Sequence, residues 1–398
     1  MESLPFLTAD LPGIGGRMKA ELRDVLVEEV PLYQPSGEGQ HTYVLLEKRG
    51  MTTLEAVRLI AGAVGVPPRA VGYAGQKDAR AVTRQTISID GVDPAQVEAL
   101  TLPGIGILSV SRHRNKLKLG HLAGNRFTIL VRAVPQDSLP LAEAVLAALS
   151  LRGVPNYFGH QRFGMRHNTH LLGWALLRGD DDEFVLEYLG RPHQGERPDS
   201  QAARAAVDAG NYDAALTHWP NDLRQERRVL AALVRHDLDV SRALRVLDRG
   251  MRRFCVSAYQ SYLFNRLLAQ RIQTVDRLEP GDVAFIHASG GAFIVQDPAA
   301  DQPRADRFEI SPSGPLFGPK LLQAEGLPGQ REREMLAESG LSLAEFRLPG
   351  AKLKGARRPF RVPLADVQIG WEDGLTLQFQ LPPGSYATEV LREVMKND

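Results

Sequence analysis

Gly72-Tyr73-Ala74-Gly75-Gln76-Lys77-Asp78-Ala79-Arg80-Ala81-Val82-Thr83-Arg84-Gln85 is the stretch on which the reading of this chain turns. An apolar lead-in, Ala70 to Tyr73, runs into a turn where Gly75, lacking a Cβ, allows close backbone approach. The strand-like Thr86-Ile87-Ser88-Ile89 follows, so the stretch reads as a strand-to-strand connection. It carries one carboxylate, Asp78, among Lys77, Arg80 and Arg84. Such a group is either a structural ion pair and turn cap or a reactive acid kept ionised by its neighbours. In extended backbone Lys77 points to the opposite face. That leaves Arg80, Arg84 or a distant lysine as the charge partner.

On either side of this connection the pattern is strand-rich. Residues 25–30 and 42–46 read as strands joined by the turn at 35–39, and 53–64 has helical apolar spacing with Thr52 or Thr53 as N-cap. Residues 106–110 and 126–131 are further strands, and 141–151 is a helix. From 169 to 272 the periodicity is almost entirely helical, including a single tetratricopeptide-like unit at 204–216 with no second copy. Residues 283–286 and 293–295 return to strand, 375–381 alternates cleanly, and 385–395 is a closing helix capped by Ser385. The fold class is α+β, with a mainly helical domain inserted at 153–351 and a first domain formed from 1–152 and 352–398.

Composition bounds the function. At 398 residues, 43% hydrophobic and 24% charged, the chain is a globular protein of two or three domains. A net charge of +1 hides local basic stripes. Residues 111–126 hold Arg112, Arg114, Lys116, Lys118 and Arg126 with no acid, and a second cluster comprises Lys352, Lys354, Arg357, Arg358 and Arg361. Both are either solvated loops or surfaces for a polyanion. Cys255 is the sole cysteine, which excludes an intrachain disulfide and a Cys-based zinc site. With neither a signal-peptide pattern nor an apolar run of membrane-spanning length, the expectation is a cytoplasmic protein with no membrane partner.

Familiar catalytic patterns are missing. The histidines His160, His167 and His170 offer no complete ligand spacing, so no metal is expected. No Gly-x-Ser-x-Gly elbow occurs. Gly13-Ile14-Gly15-Gly16 lacks the strand and helix that would make it a phosphate loop. What remains is Asp78, because a carboxylate held ionised by a cation is competent as a nucleophile toward a sugar or base carbon.

Residues 74–78 and 81–85 resemble the catalytic motif of the TruD family of tRNA pseudouridine synthases. Other stretches agree, in the family's order: 37–41, 112–120, 124–127, 154–164, 257–265 and 381–388. The resemblance runs from about Lys19 to Glu393. It implies a pseudouridine-synthase catalytic domain with a mixed, largely antiparallel sheet, interrupted by a TruD-specific domain. It also implies isomerisation of uridine in tRNA, at position 13 in bacterial members, with no cofactor, no metal and no obligate protein partner. Asp78 falls on the nucleophile and Lys19 on the active-site lysine, the distant cation required above. Phe127 falls on the ring that stacks on the extruded uracil, and Asn125 and Tyr386 on substrate-contacting positions. Val25 stands where the family has an aromatic residue. Two domains of this kind would define a basic cleft for tRNA. The rival readings are a non-catalytic RNA-binding or RNA-folding protein, and a carboxylate-dependent nucleoside hydrolase or lyase.

Overall fold

The computed structural model describes residues 3–347 and 353–397. Lys352 and the expected domain boundary at 351/352 lie outside them. The chain divides into two compact units, one of Phe6–Val154 with Val362–Asp398 and one of Met1–Pro5 with Pro155–Arg361. Residues 353–361 therefore group with the second unit.

The first unit is built on a mixed eight-stranded sheet. Its strands are β1 (Val25–Pro31), β2 (His41–Arg49), β3 (Val71–Tyr73), β4 (Val82–Asp90), β5 (Ile105–His113), β6 (Leu122–Val131), β7 (Ala365–Glu372) and β8 (Gly374–Leu381). They run in the order β7-β8-β6-β1-β4-β2-β5, with β3 paired to β4. Only β1 and β4 are parallel; every other pair is antiparallel. The strands arise where apolar residues alternate, since side chains switch faces with period two. Val25, Val27, Val44, Leu46, Ile87, Ile129, Leu377 and Phe379 are buried on one face. Helix α1 (Thr53–Ala63) covers part of it, packing Ala56, Val57 and Ile60 against Val44, Leu46 and Ile87. Thr52 starts α1 with a capping box, its hydroxyl accepting from the Glu55 amide.

The opposite face is polar. Glu28, Arg84 and Glu47 are register partners across β1, β4 and β2, and Arg84 bonds both acids at 2.9 and 3.0 Å. This triplet takes Arg84 out of contention as the partner of Asp78.

The second unit is mainly helical. Its core joins Leu172, Phe184, Val207, Trp219, Leu230 and Cys255. The tetratricopeptide-like segment is the helix pair Pro198–Asp208 and Tyr212–His218. The long helix Arg249–Arg271 is capped by Asp248, which accepts from the Met251 amide at 2.8 Å. The basic cluster of this unit faces inward. Arg357 makes a two-pronged pair with Glu332 at 2.7 and 3.0 Å, Arg358 lies 4.1 Å over the Phe158 ring, and Arg361 is buried and donates to the Ala305 carbonyl. These three arginines hold the fold and do not form a polyanion-facing stripe. Among the described residues no helix is long and apolar enough to cross a membrane.

Candidate active site

The β3–β4 connection, residues 74–81, carries Asp78. Buried polar anchors fix its path. Thr53, at the start of α1, accepts from the Lys77 amide at 2.9 Å while its hydroxyl donates to Gln85 Oε1 at 2.8 Å. The Lys77 ammonium pairs with Glu29 at 2.8 Å, both side chains being buried, so Lys77 is not the partner of Asp78. Glu29 is also the register partner of Asn125 on β6, which ties the loop to that strand. The close backbone approach belongs to Gly72 and not to Gly75. A Cβ on Gly72 would sit 2.2 Å from the Leu117 carbonyl, whereas one on Gly75 would meet nothing nearer than the Lys77 ammonium at 3.4 Å.

Asp78 is paired with a cation distant in sequence. Lys19 Nζ donates to Asp78 Oδ2 at 2.9 Å, and the Arg80 amide donates to Oδ1 at 3.1 Å. The side chains are 44% exposed for Asp78 and 28% for Lys19, so the pair is open to an incoming ligand. Burial pushes the Asp78 carboxyl up. The Lys19 bond and charge, with the Arg80 and Ala79 amides, outweigh it and leave the group below the usual carboxylate range.

Lys19 is delivered by the chain before β1. Arg17 and Arg132 form an antiparallel bridge with both amides donating at 2.8 Å. Leu22–Asp24 is a turn of 3-10 helix whose buried Asp24 receives the Arg132 guanidinium at 2.6 to 3.1 Å. Between these fixtures Lys19 adopts φ +57°, a conformation uncommon outside glycine. The backbone is bent so that the ammonium reaches the loop.

Phe127 lies on the same sheet face. Lys48, Thr83, Val27, Phe127 and Phe379 are successive register partners across β2, β4, β1, β6 and β8. The Phe127 ring is half-buried and leans on Phe379, with centroids 5.6 Å apart. Asn125, two residues away on that face, has a buried Oδ1 with no hydrogen-bond partner.

The family model for tRNA pseudouridine synthase D (TruD) matches residues 3–394. The chain belongs to the TruD family of tRNA pseudouridine synthases. It is 50% identical to tRNA pseudouridine synthase D of Geobacter metallireducens over 98% of this chain and 97% of that protein. It is 49% identical to the Geobacter sulfurreducens protein of the same name, over 98% and 96%. A crystal structure described as tRNA pseudouridine synthase D (TruD) from Methanosarcina mazei superposes with a TM-score of 0.86 at 31% identity, covering 99% of this chain and 96% of that one.

In this TruD enzyme the residues singled out from the sequence are distributed as follows. Lys19 and Asp78 are in direct contact, and Phe127 and Asn125 share a sheet face. Tyr386 is half-buried at the N-cap of the helix Ala387–Met395, which begins after Ser385 and takes no side-chain cap from it. Val25 is buried opposite Ile129 and packs in the core, so that position offers no ring. Of the supporting residues Asp24, Thr53 and Lys48, sequence reasoning noted Thr53 only as a candidate N-cap and gave no supporting role to the other two. A lysine at Lys48, inside an alternation of apolar residues and therefore facing the core, was the available signal. The basic connection 112–121 is partly engaged, with Arg112 donating to the Gly39 carbonyl, Arg114 paired to Glu38, and Lys118 exposed. Among the described residues no group of histidines, cysteines and acids is arranged to hold a metal ion.

Proposed function

We propose that this chain isomerises a uridine of tRNA, at position 13, to pseudouridine, with Asp78 as nucleophile and Lys19 as its charge partner. The N1–C1′ glycosidic bond breaks, through a ribose adduct on Asp78 or a glycal-type intermediate. The detached uracil turns and rejoins C1′ through C5. The proton lost from C5 is balanced by the one gained at N1. The reaction is a net isomerisation and consumes no oxidant, reductant or cofactor.

The observation that carries the assignment is the 2.9 Å pair between Lys19 and Asp78. It keeps the carboxylate ionised and aimed while leaving it accessible. A structural pair at this place would be expected to be buried or paired with a neighbour in sequence; here the adjacent lysine is committed elsewhere. Extracting a uridine from folded tRNA costs a few kcal/mol. Stacking on Phe127 offsets about 1–3 kcal/mol of that, and Asn125, with its unpartnered Oδ1, supplies an acceptor for the N3–H of uracil. Tyr386 adds a second substrate contact.

The test is pseudouridine mapping of tRNA incubated with the purified chain and with Asp78→Asn. The variant keeps tRNA affinity and loses the modification. Substantial turnover by Asp78→Asn would remove Asp78 from the nucleophile's role, and a signal at a position other than 13 would correct the site assignment. Free uridine, which lacks the phosphates, is left unchanged by the wild-type enzyme.

A further inference from the structure

Lys48 lies one residue from the end of β2, in an alternation where its neighbours Leu46 and Val44 are core residues. Its side chain follows them inward and is 0% exposed. The ammonium donates to the Met51 carbonyl at 2.6 Å and to the carbonyl of Asp78 itself at 3.1 Å. Neither acceptor is an anion.

A buried ammonium without a hydrogen-bonded counter-ion is a costly way to fill space. An apolar chain of the same length would serve packing alone. A charge at this point acts on two things. It holds the main chain of Asp78 through a charge-assisted bond, stronger than a neutral one. It also places a second positive charge near the carboxylate that Lys19 bonds directly. The groups facing Lys48 are Asp78 and Lys77 on the loop and Glu55 on α1. The Lys48 ammonium is pushed down to about 8, first by burial, against which Asp78 raises it, with Lys77 lowering it and Glu55 raising it to smaller extents. The attraction between Lys48 and Asp78 is mutual, so what favours the ammonium also favours the carboxylate.

We propose that Lys48 is a positioning residue for the reaction: its buried ammonium grips the Asp78 carbonyl from beneath and fixes the loop so that the carboxylate faces the sugar. The role rests on the reading of Asp78 as nucleophile. Lys48 has no access to tRNA and acts only through the loop. The loop needs this hold because residues 74–81 form no helix or strand of their own before β4 begins.

The experiment compares wild type, Lys48→Met, Lys48→Arg and Asp78→Asn as full chains. It measures tRNA Kd, single-turnover rate of pseudouridine formation and melting temperature. Lys48→Met is expected to bind tRNA within about threefold of wild type while its single-turnover rate falls about 10- to 100-fold, the effect of a misplaced reacting group. The wild-type rate falls as pH rises through about 8, where the ammonium loses its proton. Lys48→Met is flat over that range, and Lys48→Arg, which keeps its charge, lacks the alkaline decline. A folded Lys48→Met with the wild-type rate overturns the proposal, as does a Lys48→Met that retains the alkaline decline. If Lys48→Met does not fold, the wild-type profile decides: a rate flat between about pH 7 and about pH 9 overturns it. Turnover by Asp78→Asn would instead overturn the nucleophile assignment. An inactive Asp78→Asn beside a fully active Lys48→Met would remove only the role of Lys48.

Discussion

Lys19 combines two features that rarely coincide in a surface lysine, a left-handed backbone at φ +57° and a direct bond to a carboxylate. A backbone of that kind costs about 1–3 kcal/mol and persists only where its surroundings impose it. Here the Arg17–Arg132 bridge and the Asp24–Arg132 pair do so. Removing the ammonium leaves burial as the main influence on Asp78, and burial raises a carboxyl. In the wild type the carboxyl sits below its usual range, so Asp78 stays ionised until the pH falls beneath that range. Lys19→Met therefore moves the acidic limb of the pH profile of kcat/KM to higher pH and lowers the rate at neutral pH by about 100-fold. Lys19→Arg, with its charge kept, moves the limb less. Measuring both profiles decides the matter, and an unmoved limb in Lys19→Met would remove Lys19 from the site. Little of this partnership was legible locally. Asp78 was visible as an acid among cations, but Lys77 goes to Glu29, Arg84 to Glu28 and Glu47, and Arg80 contributes its amide. An irregular loop has no period from which side-chain direction can be read, and the true partner is 59 positions away. Only the ordered likeness to a family pointed to Lys19.

Among the elements, those with a clean period were the ones that could be read. β8 alternates between core and half-buried positions from Leu375 to Leu381, and α1 announces itself through its helical apolar spacing behind Thr52. β7 was missed because it is the edge strand and buries no residue on either face, which leaves no alternation to detect. The 3-10 turn Leu22–Asp24 was missed for a different reason: a three-residue element has no periodicity at all. Yet that turn holds the segment that delivers Lys19. Its Asp24 is buried and held below the usual carboxylate range, first by hydrogen bonds from Arg132, against burial that pushes it up. Asp24→Ala leaves the Arg132 guanidinium, 25% exposed, without its main partner. The expected loss is about 2–3 kcal/mol, less than for a fully buried pair. The pH dependence has a definite sign. A carboxyl depressed in the folded state stabilises it above the unfolded value, and that contribution disappears as pH falls through the folded value. Urea unfolding at neutral and acidic pH should show wild type and Asp24→Ala far apart at the first and converging at the second. Curves separated equally at both would exclude the pair as the source.

At the scale of the whole chain, the unit that holds Asp78 is made from its two ends. That return was visible in the sequence, because 375–381 alternates as a strand and a helix follows. The way the ends are fastened was not visible, since it depends on contacts between residues nearly four hundred positions apart. Glu393, buried on the closing helix, accepts from the Leu7 amide at 2.8 Å, the Thr8 amide at 3.0 Å and the Thr8 hydroxyl at 2.6 Å. Just beyond, the Ile14 and Gly15 amides donate to the carbonyls of Val394 and Met395, each at 3.0 Å. The stretch 13–16 therefore satisfies the carboxyl end of a helix through the Ile14 and Gly15 amides, the opposite of an anion-binding loop. Glu393→Ala strands three donors in the interior, for a loss of about 3 kcal/mol. For a unit of this size that corresponds to a melting temperature lower by about 6–12 °C. Glu393→Gln, with one acceptor oxygen left, loses less. Residues 14 and 15 lead within a few positions to Arg17 and Lys19, so loosening the clamp also loosens the lysine that meets Asp78. Glu393→Ala should consequently lose turnover at temperatures below its own melting point, with faster amide exchange at Leu7, Thr8, Ile14 and Gly15. Turnover that tracks the folded fraction alone, with those amides still protected, would show that the clamp supports the fold without reaching the site.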